Sequence, residues 1–518
     1  MSSAYDVAII GGGHNGLTTA CLLAQAGRKV VIFERRPQLG GLAGSEEFSP
    51  GYHSSGILHD SSGVRPQVIE QLRLESYGLR YDSEPRPVLI PREDGRSLLL
   101  WSDPERSAAE ISAHSQRDAK TYHQYRAFLQ RIAPILQRVF TRPPPNLADL
   151  GLKEALRLGS QAIGLRLLGK SDMMELLRIV PMAVADWLGE QFETPLLQAA
   201  LAAPALHHTF TGPRSPGNSL NLLLSETLSS RPLAGGPPAL VVALEKAARA
   251  LGAEIRADEA VEEVRIENGV VKGVVLADGE NVPARVIAAS CHPRHLFLDL
   301  LSPRHLAIEF EQNIINFRSR GTCAKVHLAL SSYPEFPSHP NYTAARIRIG
   351  GSLDELERAF DPVKYGEMSE RPILEISVPT VTNPETAPTG HHVFSILVHF
   401  VPFDLRSGWT DISRQLLLDR VVSRVEEVAP GFTDLVVDAQ VLTPFDLEVE
   451  YGVTGGHLLH GEPAIDQLIQ RPVPECAGYA SPIDGLYLCG SGAHPGGGIT
   501  CAPGALAAAK ILRRRTGR

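Results

Sequence analysis

The sequence predicts an α/β protein whose main parallel sheet is assembled from both ends of the chain. Near the start, residues 5–10 form a β-branched run, followed by the glycine-rich turn GGGHNG and a helical pattern of apolar residues over 17–24. Near the end, residues 485–489 again predict a strand, followed by a glycine-rich turn and a helix from about 499 to 513. These two strand–turn–helix units indicate a Rossmann-like domain.

The segments next to these units extend the same sheet. Gly27 stands where a helix ends in a left-handed residue, and residues 30–33 then predict a second strand that ends in Glu34. The chain returns to α/β texture over 233–289, where Asn268-Gly269 is a strong hairpin signal. We therefore expect the main domain to be assembled from several separate segments of the chain, with other structure inserted between them.

A chain of 518 residues exceeds the size of a single hydrophobic core, so at least two domains are expected. We assign the Rossmann-like domain to residues 1–62, 232–300 and 478–518. A mixed α+β domain, expected to bind the substrate, takes up 63–231 and 301–477. Its first part shows longer helical patterns interrupted by prolines, and its second part mixes strand and helix patterns.

Composition excludes several classes of protein. The net charge of -8 argues against a nucleic-acid partner, because neutralising phosphates needs a concentrated basic surface. The six cysteines are scattered and form no C-x-x-C pair, which favours a reducing compartment. With no secretion signal expected ahead of the first strand, the prediction is a cytoplasmic protein.

Contact with a membrane surface stays open. No run reaches the ~18 apolar residues of a membrane-spanning helix. Residues 152–180, however, combine leucines with lysines and arginines, a basic amphipathic composition that suits either peripheral membrane contact or a helix that caps a domain.

The first glycine-rich turn has the spacing of a dinucleotide site. Gly11 permits the tight turn, Gly13 lets backbone approach a pyrophosphate, and Gly16 lets the helix pack on the strand. Glu34 stands 18 residues beyond Gly16, where an acid binds ribose hydroxyls and disfavours a 2′-phosphate.

The stretch GGGHNGLTTACLLAQAGRKVVIFERRPQLGGLAGS resembles the extended FAD signature of amine oxidases, phytoene desaturases, carotenoid ketolases and Rab GDP-dissociation inhibitors. This resemblance implies non-covalent FAD, with its diphosphate near Gly40-Gly41 and its adenine near Val261. It also implies that the closing turn, GSGAHPGGGIT, lies against the pyrimidine edge of the flavin. The implied cofactor contacts beyond the first three glycines and Glu34 are Arg35, Gly40, Gly41, Leu42, Val261, Gly490, Gly498, Ile499 and Thr500.

The same motifs look closest to the branch that contains phytoene desaturases, carotenoid ketolases and the pyridine nucleotide-disulphide oxidoreductase domain 2 proteins. Because the chain has no redox C-x-x-C and no second G-x-G-x-x-G, we expect oxygen or a quinone, not a nicotinamide, to be its electron partner. The leading hypothesis is an FAD-dependent desaturase or dehydrogenase that transfers hydride from a hydrophobic, unsaturated substrate to flavin N5. The alternatives are a redox-neutral isomerase, an amine oxidase, and a binding scaffold like the GDP-dissociation inhibitors.

The candidates for proton transfer are His53, His59, Lys325 and His494. The two early histidines follow the second glycine pair, His494 lies inside the closing turn, and the resemblance implies a flavin-side lysine near Lys325. For each, a surface or structural role is the alternative, and a solvent-facing position is favoured for the lysine.

If the adjacent residues His207 and His208 lie on a helix, their side chains point in different directions. We therefore expect at most one of the two rings to face a cavity. No metal-ligand motif is present, so no metal is expected.

Overall fold

The computed structural model describes residues 5–83, 86–145 and 151–514, without the side chains of 152–157. Its strands are β1 (Tyr5–Ile10), β2 (Val30–Glu34), β3 (Glu47–Ser49), β4 (Tyr52–His53), β5 (Val88–Pro91), β6 (Ser97–Leu100), β7 (Glu254–Ala257), β8 (Val261–Glu267), β9 (Val270–Leu276), β10 (Asn281–Ala289), β11 (Cys323–Leu330), β12 (Arg346–Ile349), β13 (Ile373–Ser377), β14 (His392–His399), β15 (Val436–Leu442) and β16 (Leu486–Leu488).

Its α-helices are α1 (His14–Gln25), α2 (Pro66–Leu72), α3 (Pro104–Ser112), α4 (Gln116–Phe140), α5 (Leu152–Leu167), α6 (Lys170–Ile179), α7 (Val184–Gln191), α8 (Pro195–Leu206), α9 (Ser219–Leu228), α10 (Gly236–Ala250), α11 (Ile308–Asn316), α12 (Leu353–Phe360), α13 (Asp411–Glu426), α14 (Pro444–Tyr451) and α15 (Ala502–Leu512). In the part of the chain that the structure describes, no helix is both long enough and apolar enough to cross a membrane.

The first sheet contains a parallel core in the order β7-β2-β1-β10-β16. The start of β10 also pairs with β9, which forms a hairpin with β8. Asn268 and Gly269 both have positive φ values in that hairpin, of 52° and 75°, as a type I′ turn requires. The expected α/β fold is confirmed, although the last helix begins at Ala502 and not at about residue 499.

The second sheet has the order β15-β11-β14-β13-β12-β5-β6. Its two strands β5 and β6 lie in the first inserted segment, where the sequence indicated only helices. They are short, and their runs VLIP and SLLL are too brief to separate a strand from a buried helix segment by periodicity.

Each of the two large sheets takes its strands from the segments of one predicted domain, and β3 and β4 form a separate pair. The first sheet draws on residues 5–34, 254–289 and 486–488, and the second on 88–100 and 323–442. The exact domain boundaries remain a prediction.

The two faces of the second sheet differ in chemistry. One face is apolar and packs against α13, whose Val421 and Val425 join the strand residues Val326 and Ile396 in a single core cluster. The opposite face carries buried ionisable side chains, because Lys325 and Glu375 both pair with Leu397 and therefore share its side of the sheet.

The contact between α1 and the turn before it depends on Gly16. A Cβ on this residue would stand 2.0 Å from the carbonyl oxygen of Gly11. Gly16→Ala should therefore lower the free energy of unfolding by about 1–3 kcal/mol or more, since backbone must move to make room. The midpoint of thermal unfolding of the apoprotein, followed by circular dichroism, measures this effect.

The matched control is Gly159→Ala in α5, where no atom lies within 4 Å of an added Cβ. That change should leave the midpoint unchanged or raise it slightly, because alanine favours a helix over glycine by up to about 1 kcal/mol. Equal midpoints for the wild type and Gly16→Ala would contradict the proposed backbone contact.

Candidate active site

The first glycine turn opens onto a cleft. The backbone N–H of Gly11 donates to the carbonyl oxygen of Phe33 at 2.8 Å, which ties the turn to β2. No side chain caps α1, and its first turn contains no acid, so its N-terminal N–H groups stay available to an anion. An added Cβ on Gly13 would meet nothing closer than 4.0 Å, which shows that this position faces open space.

Glu34 is buried at the end of β2 and holds the turn directly. Its Oε2 accepts a hydrogen bond from the backbone N–H of Gly12 at 2.8 Å, and its Oε1 accepts one from Arg36 N at 3.0 Å. Glu34 therefore fixes the shape of the turn as well as standing at the predicted ribose position.

The second glycine pair packs onto the first turn. Gly40 N donates to the carbonyl oxygen of Gly12 at 2.9 Å, and Gly40 has a φ of 107°, which favours glycine. A Cβ on Gly40 would stand 2.8 Å from a methyl group of Val241 on α10. Both glycine turns thus face the same cleft, and their glycines leave it free of bulky side chains.

This cleft has a volume of about 250 Å³. Its lining includes eight of the predicted cofactor residues: Gly11, Gly13, Glu34, Arg35, Gly40, Gly41, Leu42 and Val261. The bare glycine turns and the uncapped helix N-terminus fit the diphosphate and ribose of a dinucleotide.

Sequence reasoning missed several residues of the cleft. His14 and Asn15 stand inside the glycine motif, and both carry a buried polar atom without a protein partner, His14 Nε2 and Asn15 Oδ1. Their position in the motif could have indicated them. Tyr451 and His460 come from the second inserted segment, where no motif marks them.

The closing turn lines a second cavity, of about 270 Å³. Gly498, Ile499 and Thr500 all contribute to it, whereas Gly490 packs on the backbone of Ser290. The turn leads into α15, which has no acid in its first turn. Leu58 lines both cavities, so the cleft and the second cavity adjoin each other.

The second cavity is enclosed by residues of both inserted segments. Its apolar lining includes Phe140, Leu224 and Leu228 from the first segment and Leu459 and Leu468 from the second. Polar side chains also contribute, so the lining is mixed.

Lys325 and His59 meet in the interior. Lys325 is completely buried on β11, and its Nζ lies 2.9 Å from His59 Nδ1. The favoured solvent-facing position of Lys325 was therefore wrong, because both faces of β11 are covered. Burial lowers the pKa of Lys325 to about 7, with Glu375 acting in the opposite direction. Burial, reinforced by Lys325, holds the pKa of His59 well below its usual value.

A cluster around Glu375 lies on the same face of the second sheet. Glu375 Oε1 accepts from Arg348 Nη2 at 2.9 Å, and its Oε2 lies 2.8 Å from His207 Nε2 and 3.7 Å from His399 Nε2. Burial alone would raise the pKa of Glu375, but His207 and Arg348 hold it well below its ordinary value.

Three side chains of this cluster, His207, Glu375 and His399, bring potential metal-ligand atoms within 4.8 Å of one another. The two imidazole rings are stacked, however, with centroids 4.9 Å apart, and Arg348 already occupies one carboxylate oxygen. This geometry fits an ion-paired carboxylate flanked by two stacked imidazoles better than two lone pairs that converge on an ion.

The remaining histidine candidates occupy different places. His53 is half-buried on β4, opposite Glu47, and does not line either cavity. His494 is fully buried and stacks on Phe140, with ring centroids 5.9 Å apart.

Both His207 and His208 line the second cavity, and the His207 ring also contacts Glu375 and His399. Helix α8 ends at Leu206, and His208 has a φ of 59°. The assumption of a helix therefore did not apply to the pair.

Two glycine turns on one cleft, an acid at the end of β2 and a third glycine turn beside an internal cavity define an FAD-binding flavoprotein. Residues 16–511 match the family of flavin containing amine oxidoreductases, and the chain belongs to that family. The protein is an FAD-dependent oxidoreductase.

Its relatives agree with the expected branch. A pyridine nucleotide-disulfide oxidoreductase domain-containing protein 2 of Rattus norvegicus is 33% identical, over 98% of this chain and 93% of its own length. A limonene dehydrogenase chain of Castellaniella defragrans is 26% identical, over 98% and 94%. A lycopene-forming phytoene desaturase of Pantoea ananas is 25% identical, over 97% of each chain. The resemblance to the phytoene desaturase branch is confirmed, whereas the individual FAD contacts and non-covalent attachment stay predictions.

Gly13→Val tests whether the cleft holds FAD. An added Cβ meets no atom closer than 4.0 Å, so the variant should fold, but the methyl groups of valine would occupy the place predicted for the diphosphate. We expect a folded, colourless protein. The measurement is the ratio of flavin absorbance to protein after gel filtration.

The control is Gly478→Val, at an exposed glycine with no atom within 4 Å of an added Cβ. It should keep the wild-type flavin content. Full occupancy in Gly13→Val would contradict the placement of the cofactor.

Proposed function

We propose that the protein is a desaturase or dehydrogenase that removes two hydrogens from a hydrophobic, unsaturated small molecule. The observation that carries this proposal is the second cavity, which adjoins the cofactor cleft at Leu58 and has apolar side chains from both inserted segments in its lining. Ligand pockets favour such positions between structural units. Two of the relatives, the limonene dehydrogenase and the phytoene desaturase, also support it.

When bound, FAD supplies a two-electron hydride acceptor at N5. The substrate must then lose a proton as well, and the proposed acceptor is the pair of Lys325 and His59. Neither residue lines the second cavity, but His59 stands in the chain between the lining residues Leu58 and Asp60. With a pKa of about 7, Lys325 is partly neutral near neutral pH and can take up a proton. The protein residues thus align the apolar substrate, exclude water and hold the proton. Oxygen or a quinone is proposed to receive the electrons.

Amine oxidation is less well supported by the cavity. That chemistry needs an aromatic cage, yet the second cavity has no tyrosine or tryptophan among its described lining residues. Phe140 is the one Phe, Tyr or Trp in that lining, and it is stacked on His494.

Anaerobic stopped-flow reduction tests the proposed reaction. We expect limonene or phytoene, delivered in detergent, to bleach the flavin in a saturable way, and NADH or NADPH to do so slowly or not at all. The rate should rise with pH through about 7, because a neutral Lys325 is the proton acceptor. Lys325→Met should remove this pH dependence and slow reduction by roughly 10²–10⁴-fold.

The control Lys246→Met, at an exposed position of α10, should behave as the wild type. Rapid, saturable reduction by either nicotinamide would overturn the claim that the organic substrate is the hydride source.

We also propose peripheral membrane contact through α5 and α6. Their apolar side chains Ile163, Leu167, Met174 and Leu177 are 52–81% exposed, and Arg166 and Lys170 lie beside them at the surface. An apolar face with a basic border suits an anionic bilayer surface, from which an apolar substrate could be delivered.

Leu167→Glu should weaken sedimentation of the protein with vesicles of phosphatidylcholine and phosphatidylserine. Ile412→Glu, which alters an equally exposed side chain on α13, should not. Equal sedimentation of the two variants would refute this contact surface.

A further inference from the structure

The wall of the second cavity contains a buried arginine without an acid. Arg471 is 1% exposed, and its Nη2 donates to the carbonyl oxygens of Leu459 at 3.3 Å and Gly461 at 2.9 Å. Its Nε is buried without a partner, and no described carboxylate forms an ion pair with it. The guanidinium packs against the closing turn, since a Cβ on Gly496 would stand 2.5 Å from Nη1.

A second arginine of this kind lines the same cavity. The backbone N–H of Arg65 donates to the carbonyl oxygen of Thr500 at 3.1 Å, which fixes the residue beside the closing turn. Its side-chain Nη1 donates to the carbonyl oxygen of Leu228 at 3.0 Å, and its Nε is buried without a partner. No described acid forms an ion pair with Arg65 either.

Neither charge is paired with a described carboxylate, although both guanidinium groups donate to backbone carbonyls and Arg471 lies 5.7 Å from the ring centroid of Phe317. Burial lowers the pKa of Arg471 to about 10, so this residue remains a cation at neutral pH. Burial also lowers the pKa of Arg65, and arginine side chains stay protonated in proteins. Asp60 is the single acid among the described lining residues, and its oxygens accept from the N–H and hydroxyl of Ser62. A buried charge without a counter-charge is costly, so the cavity favours a ligand that brings an anion.

The rest of the lining suits a hydrocarbon. Leu224, Leu228 and Leu468 line the same space as the two arginines, together with Phe140. The cavity therefore offers an apolar surface and a cationic site to one ligand.

We propose that the substrate is an amphiphile, with a hydrocarbon part along the leucines and a carboxylate or phosphate head received by Arg471 and Arg65. This inference rests on the proposed function, and it distinguishes this site from one that takes a pure hydrocarbon. The other possible source of the anion is the cofactor itself, whose reduced flavin and diphosphate are negatively charged.

Binding to the oxidised holoprotein tests the proposal without turnover. The probes are decanoate, decyl phosphate, decanol and decylamine, followed by the change in flavin absorbance and by calorimetry. The two anionic probes should bind roughly ten- to a hundredfold more tightly than decanol, as expected for charge-assisted hydrogen bonds. Arg471→Gln and Arg65→Gln should each reduce this preference, Arg471→Lys should retain most of it, and Arg358→Gln at an exposed site should leave it unchanged.

Two outcomes would overturn the proposal. One is equal affinity of the wild type for decanoate and decanol. The other is an unchanged preference in the variants, and Arg65→Gln is the deciding variant if Arg471→Gln does not fold. A lower flavin midpoint potential in Arg471→Gln, with the preference intact, would then assign the cation to the cofactor. Because these probes contain no alkene, failure here leaves the desaturase proposal standing, and that proposal fails only in the reduction experiment.

Discussion

The close contact between Gly16 and the carbonyl group of Gly11 sets the position of α1 relative to the first sheet. Because no side chain intervenes, the N-terminus of this helix points into the cleft at the end of β1. Glu34 then holds the turn through Gly12, and Gly40 packs onto it from the second glycine pair. The dinucleotide site is therefore formed mainly by backbone atoms of the two glycine turns and the N-terminus of α1, with few bulky side chains between them.

The second constraint is the burial of ionisable groups on one face of the second sheet. Lys325 and Glu375 sit in one row across the strands, and each is accompanied by a histidine. Burial makes the neutral form of Lys325 accessible near neutral pH, whereas Arg348 and His207 keep Glu375 ionised. The pKa values of both groups are thus lowered, so near neutral pH a partly neutral amine and a carboxylate share one sheet face, and both can accept a proton.

Local pattern predicted the parts of the site that depend on local structure. The glycine turns, Glu34 and the hairpin at Asn268 follow from spacing and from turn chemistry, which a short segment contains in full. The alternation of side chains along β11 correctly placed Lys325 on the opposite face of the strand from its apolar neighbours. It could not show that both faces are buried, since that depends on which elements cover the sheet. Arg65 and Arg471 carry no motif, because their significance arises from the absence of a nearby acid.

The central claim is that flavin and substrate meet where the two cavities adjoin, at Leu58. A crystal structure of the holoprotein with decanoate tests it most directly. We predict adenosine beside Glu34 and Val261, the isoalloxazine ring at the junction of the two cavities, and the probe in the second cavity with its carboxylate towards Arg471. An isoalloxazine ring bound elsewhere, with the junction filled by protein side chains, would contradict the account.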